Sequence, residues 1–197
     1  MDEGGAVDEG VKWEWRRRLS AARQAVPVAV REAEAAALAA APLPMESPGT
    51  VCAYWPVGAE PGSSALLDGL VRRGCRVLLP VVRPVGPLDW AGYTGPESLQ
   101  AGRLGLREPI GPRLGCAAIA TAVLVLVPAL AVDCRGTRLG RGGGHYDRTL
   151  PLAVTGTPLV AIVRDDEVLT VALPRQAHDV GVSAVLTPGR GLLTLPC

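Results

Sequence analysis

The stretch from Ala122 to Leu150 reads AVLVLVPALAVDCRGTRLGRGGGHYDRTL. Its first part, Ala122 to Val132, is almost wholly apolar. A strand that is apolar on both faces belongs in the middle of a parallel sheet covered on both sides. From Asp133 to Leu150 the chain turns polar, with glycines and arginines throughout. That order predicts a buried strand, a short hairpin through Arg135 and Gly136, then a glycine-rich loop opening a helix near His145. In an open parallel sheet, ligands sit in the crevice beyond the carboxyl ends of the strands. Glycines let backbone N–H groups turn toward one point, a helix N-terminus adds about half a positive charge, and Arg138 and Arg141 add two full charges. The loop is therefore a candidate phosphate cradle; the competing reading is a surface turn flanked by solvated arginines. It is not the P-loop pattern G-x-x-x-x-G-K-[ST], and His145 holds the place of the last glycine in G-x-G-x-x-G.

Working outward, Val11, Trp15, Leu19, Ala22 and Val26 recur at helical spacing and predict a first helix with one apolar stripe. Pro27 closes it and suits the first turn of an Ala-rich second helix ending near Pro42. After a breaker-rich loop, TVCAYWP (50–56) reads as a strand, SSALLDGLVRRG (63–74) as a helix capped by Ser63 and Gly74, and CRVLLP (75–80) as another strand. Strand, helix and strand with short loops make a βαβ unit and argue for a parallel sheet. PLDWAGY (87–93) is a weaker strand, and PLVAIV (158–163) and SAVLTP (183–188) are two more. Thr94 to Gly115, rich in Gly, Pro and Arg, is predicted to be an irregular excursion over one face. No repeat or domain boundary is visible, so the expectation is one α/β domain over residues 1–197, with residues 1–10 a flexible tail.

Composition narrows the function classes. Of 197 residues, 48% are hydrophobic but only 4% aromatic, with no Phe, so Val, Leu, Ile and Ala must fill the core. A net charge of +1 gives no global field for nucleic acid or an acidic membrane. The acidic start MDEGGAVDEG has no apolar core and is not a signal peptide. The longest apolar run, Cys116 to Val132, is broken by Thr121 and Pro128 and is shorter than the roughly 18 residues a membrane helix needs. Five widely spaced cysteines form no C-x-x-C pair, and no His cluster completes a zinc site. A cytoplasmic protein with neither nucleic-acid nor membrane partner is expected.

Against 19 arginines the chain keeps a single lysine, Lys12. Lys12 and Arg16, four apart, share a helix face; they reach a polyphosphate in tandem or form an ordinary wet face. Asp147 follows the glycine loop and either holds a magnesium ion bridging phosphate oxygens or complements a helix N-terminus. Glu60 lies past the strand 50–56, placed to hydrogen-bond a polar ring system while Trp55 offers stacking area; a solvated loop glutamate is the other reading. Cys134 falls near the candidate site; His178 reads as a loop residue or a strand-end hydrogen-bonding residue, with a site residue as the other reading. No Ser-His-Asp set is visible.

Taken together, these motifs resemble one family. VPALAVDCRGTRLGRGGGHYDRTL (127–150) is similar to the signature of the 5-formyltetrahydrofolate cyclo-ligases, also called methenyltetrahydrofolate synthetases. KWEWR (12–16) matches that family's N-terminal K-x-x-x-R, and YWPVGAEPGSSALLDGL (54–70) matches its substrate strand and following glutamate. GLREP (105–109) and HDVGVSAVLTP (178–188) match two further landmarks, so the likeness spans about residues 11 to 188. It implies a three-layer α/β/α fold with a mostly parallel sheet, similar to the NagB/RpiA/CoA-transferase-like fold. It implies ATP-dependent cyclisation of 5-formyltetrahydrofolate to 5,10-methenyltetrahydrofolate by a monomer, with ATP as co-substrate, magnesium as cofactor and a reduced folate as the small-molecule partner. Lys12, Arg16, Arg138, Leu139, Gly140, Arg141, Gly142, Gly143, Gly144, His145 and Tyr146 would contact ATP, with Arg138 and Arg141 in the catalytic role. Asp147 would bind magnesium, and Trp55 and Glu60 the folate. His145 replaces the first of the family's paired tyrosines. Ser183 stands where many relatives have an aspartate that helps hold magnesium, and Arg164 where relatives often carry an aromatic or neutral residue. Two other readings stay open: a catalytically weak relative that binds folate or nucleotide, and another phosphate-handling enzyme on the same scaffold.

Overall fold

A computed structural model of the chain describes residues 3–102 and 107–197. Its main sheet has seven strands: β1 (Thr50–Cys52), β2 (Arg76–Val81), β3 (Asp89–Tyr93), β6 (Ala122–Pro128), β9 (Leu159–Ile162), β11 (Ala184–Thr187) and β12 (Gly191–Thr194). They lie in the order β12-β11-β9-β6-β1-β2-β3, so β6 is the middle strand, the place its two-sided apolarity requires. The five inner strands are parallel, and β3 and β12 close the edges antiparallel.

Alternation along β6 separates the two faces. Leu124 and Leu126 join Val51, Val77 and Leu79 in a core covered by α2 (Val28–Ala40) and α3 (Ser64–Arg72). Val125 and Val127 join Cys52, Leu78 and Trp90 on the other side, where Ile119 and Leu150 cover them. That second covering layer is built of short pieces: a 3-10 turn over Cys116–Thr121, the helix α4 (His145–Thr149) and a small sheet in which β7 (Ala131–Asp133) lies between β8 (Arg138–Leu139) and β10 (Val168–Leu169). The expected βαβ unit is β1-α3-β2. Ser63 does precede α3, but its hydroxyl makes no cap hydrogen bond and is buried without a partner among the described residues. Strand pairing of the segment 50–56 ends at Cys52, with one further bond from Ala53 N–H to the Leu78 carbonyl.

The expected irregular excursion contains a short ladder, β4 (Leu99–Ala101) against β5 (Arg107–Pro109). Strands of three residues lie below the length at which alternation can be read. Residues 103–106, which include the start of the GLREP landmark, lie outside the described residues. The first helix, α1, runs Glu3–Gln24, so residues 3–10, expected as a tail, belong to it.

The larger difference concerns the face α1 presents. Val11, placed on the expected apolar stripe, is 40% exposed, whereas Lys12 and Arg23 are 4% and 3% exposed. Arg23 donates from Nε and Nη2 to the two oxygens of Glu167, at 2.6 and 2.7 Å, and from Nη2 to the Ala129 carbonyl at 2.5 Å. Leu19, one helical step away, packs on Leu130, Leu139 and Leu173. The helix thus docks through Leu19 and the half-buried Trp15 of the expected stripe, flanked by matched charges that a hydrophobic count cannot see. Arg164 has a similar tying role: its Nη1 meets Glu34 of α2 at 2.6 Å, and its N–H donates to Glu167 at 2.8 Å.

A buried charge stripped of its partner is costly, so Arg23→Met, which strands Glu167, is expected to lower stability by about 3–5 kcal/mol in urea unfolding. A loss below about 1 kcal/mol would show that this pair does not anchor the helix.

Candidate active site

The strand order reverses between β1 and β6: the chain builds β1, β2 and β3 to one side, then returns to lay β6, β9 and β11 on the other. Such a switch point opens a crevice at the carboxyl ends of the strands. A cavity of about 440 Å³ lies there, bordered by Trp55 beyond β1, Pro80 and Val82 at the end of β2, and Pro128 and Ala129 at the end of β6.

The hairpin β7-β8 delivers the glycine loop to this cavity. Asp133, 1% exposed, accepts the N–H groups of Arg135 and Thr137 with Oδ1 and that of Leu173 with Oδ2. Gly136 turns the hairpin at φ 84°. Gly142 stands at φ 96°, and a Cβ there would lie 3.3 Å from the Arg16 guanidinium carbon. Arg16 Nε donates to the Gly140 carbonyl at 3.1 Å. A side chain at Gly142 would be both strained and crowded, which is why the loop needs glycine where the helix crosses it.

The candidate residues Lys12, Arg16, Trp55, Glu60, Arg138, Leu139, Gly140, Arg141, Gly142, Gly143, Gly144, His145, Tyr146 and Asp147 all border this one cavity. Their postures differ from the expected ones. Lys12 is buried, with Nζ 2.6 Å from Asp179 Oδ2 and 3.3 Å from Gln176 Oε1, so its wet-face reading is excluded. Arg138 is buried too and meets Asp147 at 2.7 Å, while its guanidinium carbon lies 5.8 Å from the centre of the Tyr146 ring. Leu139 turns its side chain into the cluster around Leu19, leaving its backbone toward the cavity. Arg141 is open, 59% exposed, and pairs with Glu60 at 3.0 Å. Glu60 uses its other oxygen to accept the Val57 N–H at 2.9 Å.

Asp179, Gln176 and Arg107 border the site although sequence reasoning gave none of them a role there. Asp179 lies inside the HDVGVSAVLTP landmark but was given no role there; the signal for it was the single lysine, which called for an anion. Burial alone would raise the Asp179 pKa, but the Gln176 N–H and the Lys12 ammonium outweigh it and hold the carboxyl below its usual range. The His145 pKa is lowered as well, by burial and then by the Arg148 charge, which favours the neutral ring.

Two residues leave the site. Ser183 does not border the cavity; its hydroxyl donates to the Leu159 carbonyl at 3.1 Å and accepts the Leu159 N–H at 3.0 Å. The hydroxyl is thus spent on the backbone of Leu159 and does not face the cavity. Cys134 meets Cys197, Sγ to Sγ, at 2.8 Å, beside the hairpin and off the cavity wall. That contact raises the Cys134 pKa, followed by burial, so the thiol is no ready nucleophile.

Two donors bordering the cavity, Arg138 Nε and the Tyr146 hydroxyl, are buried with no hydrogen-bond partner among the described residues. Buried donors are rarely left unpaired unless something else supplies the acceptor. Five cationic side chains (Lys12, Arg16, Arg107, Arg138, Arg141) face three carboxylates (Glu60, Asp147, Asp179), so the cavity favours an anion. No group of three or more His, Cys, Asp or Glu converges as a metal cage among the described residues. The arrangement defines a class: an α/β protein whose cavity, between a glycine loop and an aromatic wall, suits an anionic ligand.

The family follows from comparison. The model of the 5-formyltetrahydrofolate cyclo-ligase family matches residues 8–188, and the chain belongs to that family. It is 50% identical to a 5-formyltetrahydrofolate cyclo-ligase of Mycolicibacterium smegmatis over 93% of this chain and 97% of the relative. It is 33% identical to the enzyme of that name in Escherichia coli K12, over 72% of this chain and 79% of the relative. Among solved structures, a 5,10-methenyltetrahydrofolate synthetase of Aquifex aeolicus superposes with a TM-score of 0.78 at 24% identity, covering 95% of this chain and 94% of the other. One from Mycoplasma pneumoniae gives 0.69 at 16%, covering 88% and 96%. These two matches show the shared fold. No helix among the described residues is long and apolar enough to cross a membrane.

Because its folded pKa is depressed, Asp179 stabilises the fold fully above the ordinary carboxylate pKa of about 3.9 and loses that contribution as pH falls through the lower folded value. Wild type should exceed Asp179→Asn in urea-unfolding stability by a constant margin above about pH 5, and the two should converge in acid. Parallel curves down through acid would show that the Lys12 clasp does not depend on the ionised carboxylate.

Proposed function

We propose that the chain is an active cyclo-ligase that converts 5-formyltetrahydrofolate and ATP to 5,10-methenyltetrahydrofolate, ADP and phosphate, as a cytoplasmic monomer. The observation that carries this reading is the single cavity in which a cationic glycine loop faces the aromatic wall of Trp55 and Tyr54, in a chain of this family.

The chemistry suits a site without a nucleophilic side chain. A formyl oxygen on nitrogen is a poor leaving group. In the proposed reaction it attacks the terminal phosphorus of ATP as the bond to ADP breaks. The second folate nitrogen then adds to the formyl carbon, gives up its proton, and the carbon–oxygen bond breaks to release phosphate. Phosphoryl transfer asks the protein mainly for positioning and charge neutralisation.

The cations already present fit these needs. Lys12, Arg16, Arg138, Arg141 and the backbone from Leu139 to Gly144 would hold the phosphates, with Arg138 Nε and the Tyr146 hydroxyl as unspent donors. His145, its neutral form favoured, would add a hydrogen-bonding ring without further positive charge. Glu60 and Trp55 would orient the folate. Each of Lys12, Arg138 and Arg141 has a carboxylate partner, so nucleotide binding would proceed by exchange or sharing of these pairs. Magnesium fits as an ion carried on the phosphates, with Asp147 and water completing its shell; when bound it would neutralise phosphate charge.

Mixing the protein with 5-formyltetrahydrofolate, ATP and magnesium should give rising absorbance from the methenyl product. No ATP-dependent signal at any magnesium concentration would overturn the reading in favour of a binding relative; turnover without ATP would favour another phosphate-handling enzyme. Arg141→Ala should lower kcat/KM for ATP roughly 10- to 150-fold, the loss of one charged hydrogen bond. Its urea stability should stay within about 0.5 kcal/mol of wild type, as for exposed sites generally. A large stability loss with unchanged ATP kinetics would remove Arg141 from the nucleotide site.

A further inference from the structure

Of the five cations that border the cavity, Arg138 and Arg141 belong to the glycine segment, Arg16 bonds it, and Lys12 lies one helical turn from Arg16 on α1. The fifth, Arg107, stands apart from them. It lies on β5, which is fixed at the exit of β2: the buried Glu108 carboxylate accepts the Val82 N–H at 3.0 Å and lies 3.8 Å from the Arg113 guanidinium. Trp55 and Tyr93 belong to the core on the α2–α3 face of the sheet, whereas Tyr146 and Leu150, next to the glycine loop, belong to the core on the opposite face, so Arg107 on Trp55 approaches the cavity from the side away from that loop. Its guanidinium carbon is 5.4 Å from the centre of the Trp55 ring, and Trp55 is 6.2 Å from Tyr93, with the rings tilted by 49°. Stacking on Trp55 restrains a guanidinium without using its N–H donors. Lys12, Arg138 and Arg141 are each matched by an acid; among the described residues Arg107 has no carboxylate partner.

We propose that Arg107 is a specificity-determining residue that binds the carboxylates of the glutamate carried by the substrate. This rests on the folate reading of the same cavity. A reduced folate has a polar ring system, a flat aminobenzoyl spacer and an anionic amino-acid end with two carboxylates. Its formyl group must lie at the glycine loop to meet a phosphate. The rings then follow the aromatic wall, and the charged end comes to the far side of the cavity, where Arg107 waits. A guanidinium offers a carboxylate two parallel N–H donors, a pairing that a lysine would make as a point charge only.

Two measurements test this. Calorimetric titration with p-aminobenzoylglutamate and p-aminobenzoate should show the glutamyl ligand binding about tenfold more tightly to wild type, as one charge-assisted pair would give. Arg107→Ala should erase that preference, and Arg107→Lys should keep part of it. In turnover, the ratio of kcat/KM for 5-formyltetrahydrofolate over 5-formyltetrahydropteroate, which lacks the glutamate, should fall by a similar factor in Arg107→Ala. Equal affinities in wild type, no detectable binding of the glutamyl ligand at millimolar concentration, or a preference that survives Arg107→Ala would overturn the assignment. An Arg107-dependent preference without ATP-dependent turnover would leave the subsite standing and remove the cyclo-ligase reading instead.

Discussion

A guanidinium and a carboxylate, Arg23 and Glu167, meet out of water with both oxygens engaged, and the same guanidinium holds the Ala129 carbonyl. Neither charge tolerates burial alone, so the pair forms fully or the helix does not dock. The contact joins α1 to the turn after β9 and to the exit of β6 together. From Arg23 the helix runs back 11 residues, about 16 Å at 1.5 Å per residue, to Lys12. That reach places Lys12 on Asp179 and Arg16 against Gly140 and Gly142. The amino-terminal wall of the active site is therefore set by an ion pair outside it.

The sheet supplies the rest of the frame. Its order puts β1 and β6 side by side although the chain makes β2 and β3 between them, and the cavity lies where that reversal parts the connecting loops. Hydrophobic burial holds the strands, since both faces of β6 are covered. The loops above carry the polar work, and Asp133 stiffens the hairpin that presents the glycine loop by accepting three backbone N–H groups.

Inside the cavity, acids and bases are arranged as partners: Lys12 with Asp179, Arg138 with Asp147, Arg141 with Glu60. The pairing lets several cations crowd one surface without unfolding it by repulsion, while leaving the excess positive. An anion entering the cavity would compete with these carboxylates rather than with bulk water alone. At the two departures from the family's usual residues, burial and Arg148 lower the His145 pKa, and Ser183 spends its hydroxyl on the backbone of Leu159.

Much of this was legible in residue order. The two-sided apolarity of Ala122–Pro128 marked the central strand, and the hairpin, the glycine loop and its helix followed in turn. The motifs of Lys12, Glu60 and Gly140–Asp147 named the residues that gather at the cavity, because local pattern and residue chemistry are properties of short segments. What tertiary structure alone decided was which face of α1 turns inward, that Asp179 and Gln176 answer Lys12, that Arg138 is sheathed by Asp147, and that Ser183 stands aside. Arg107 took its place beside Trp55 in the same way. Each of these depends on a partner more than 20 residues away in the chain or on the register of a short strand, except Arg138, whose burial depends on the fold around its near neighbour. Charge satisfaction is a pairwise property in space, so it is invisible until the sheet has brought the pairs together.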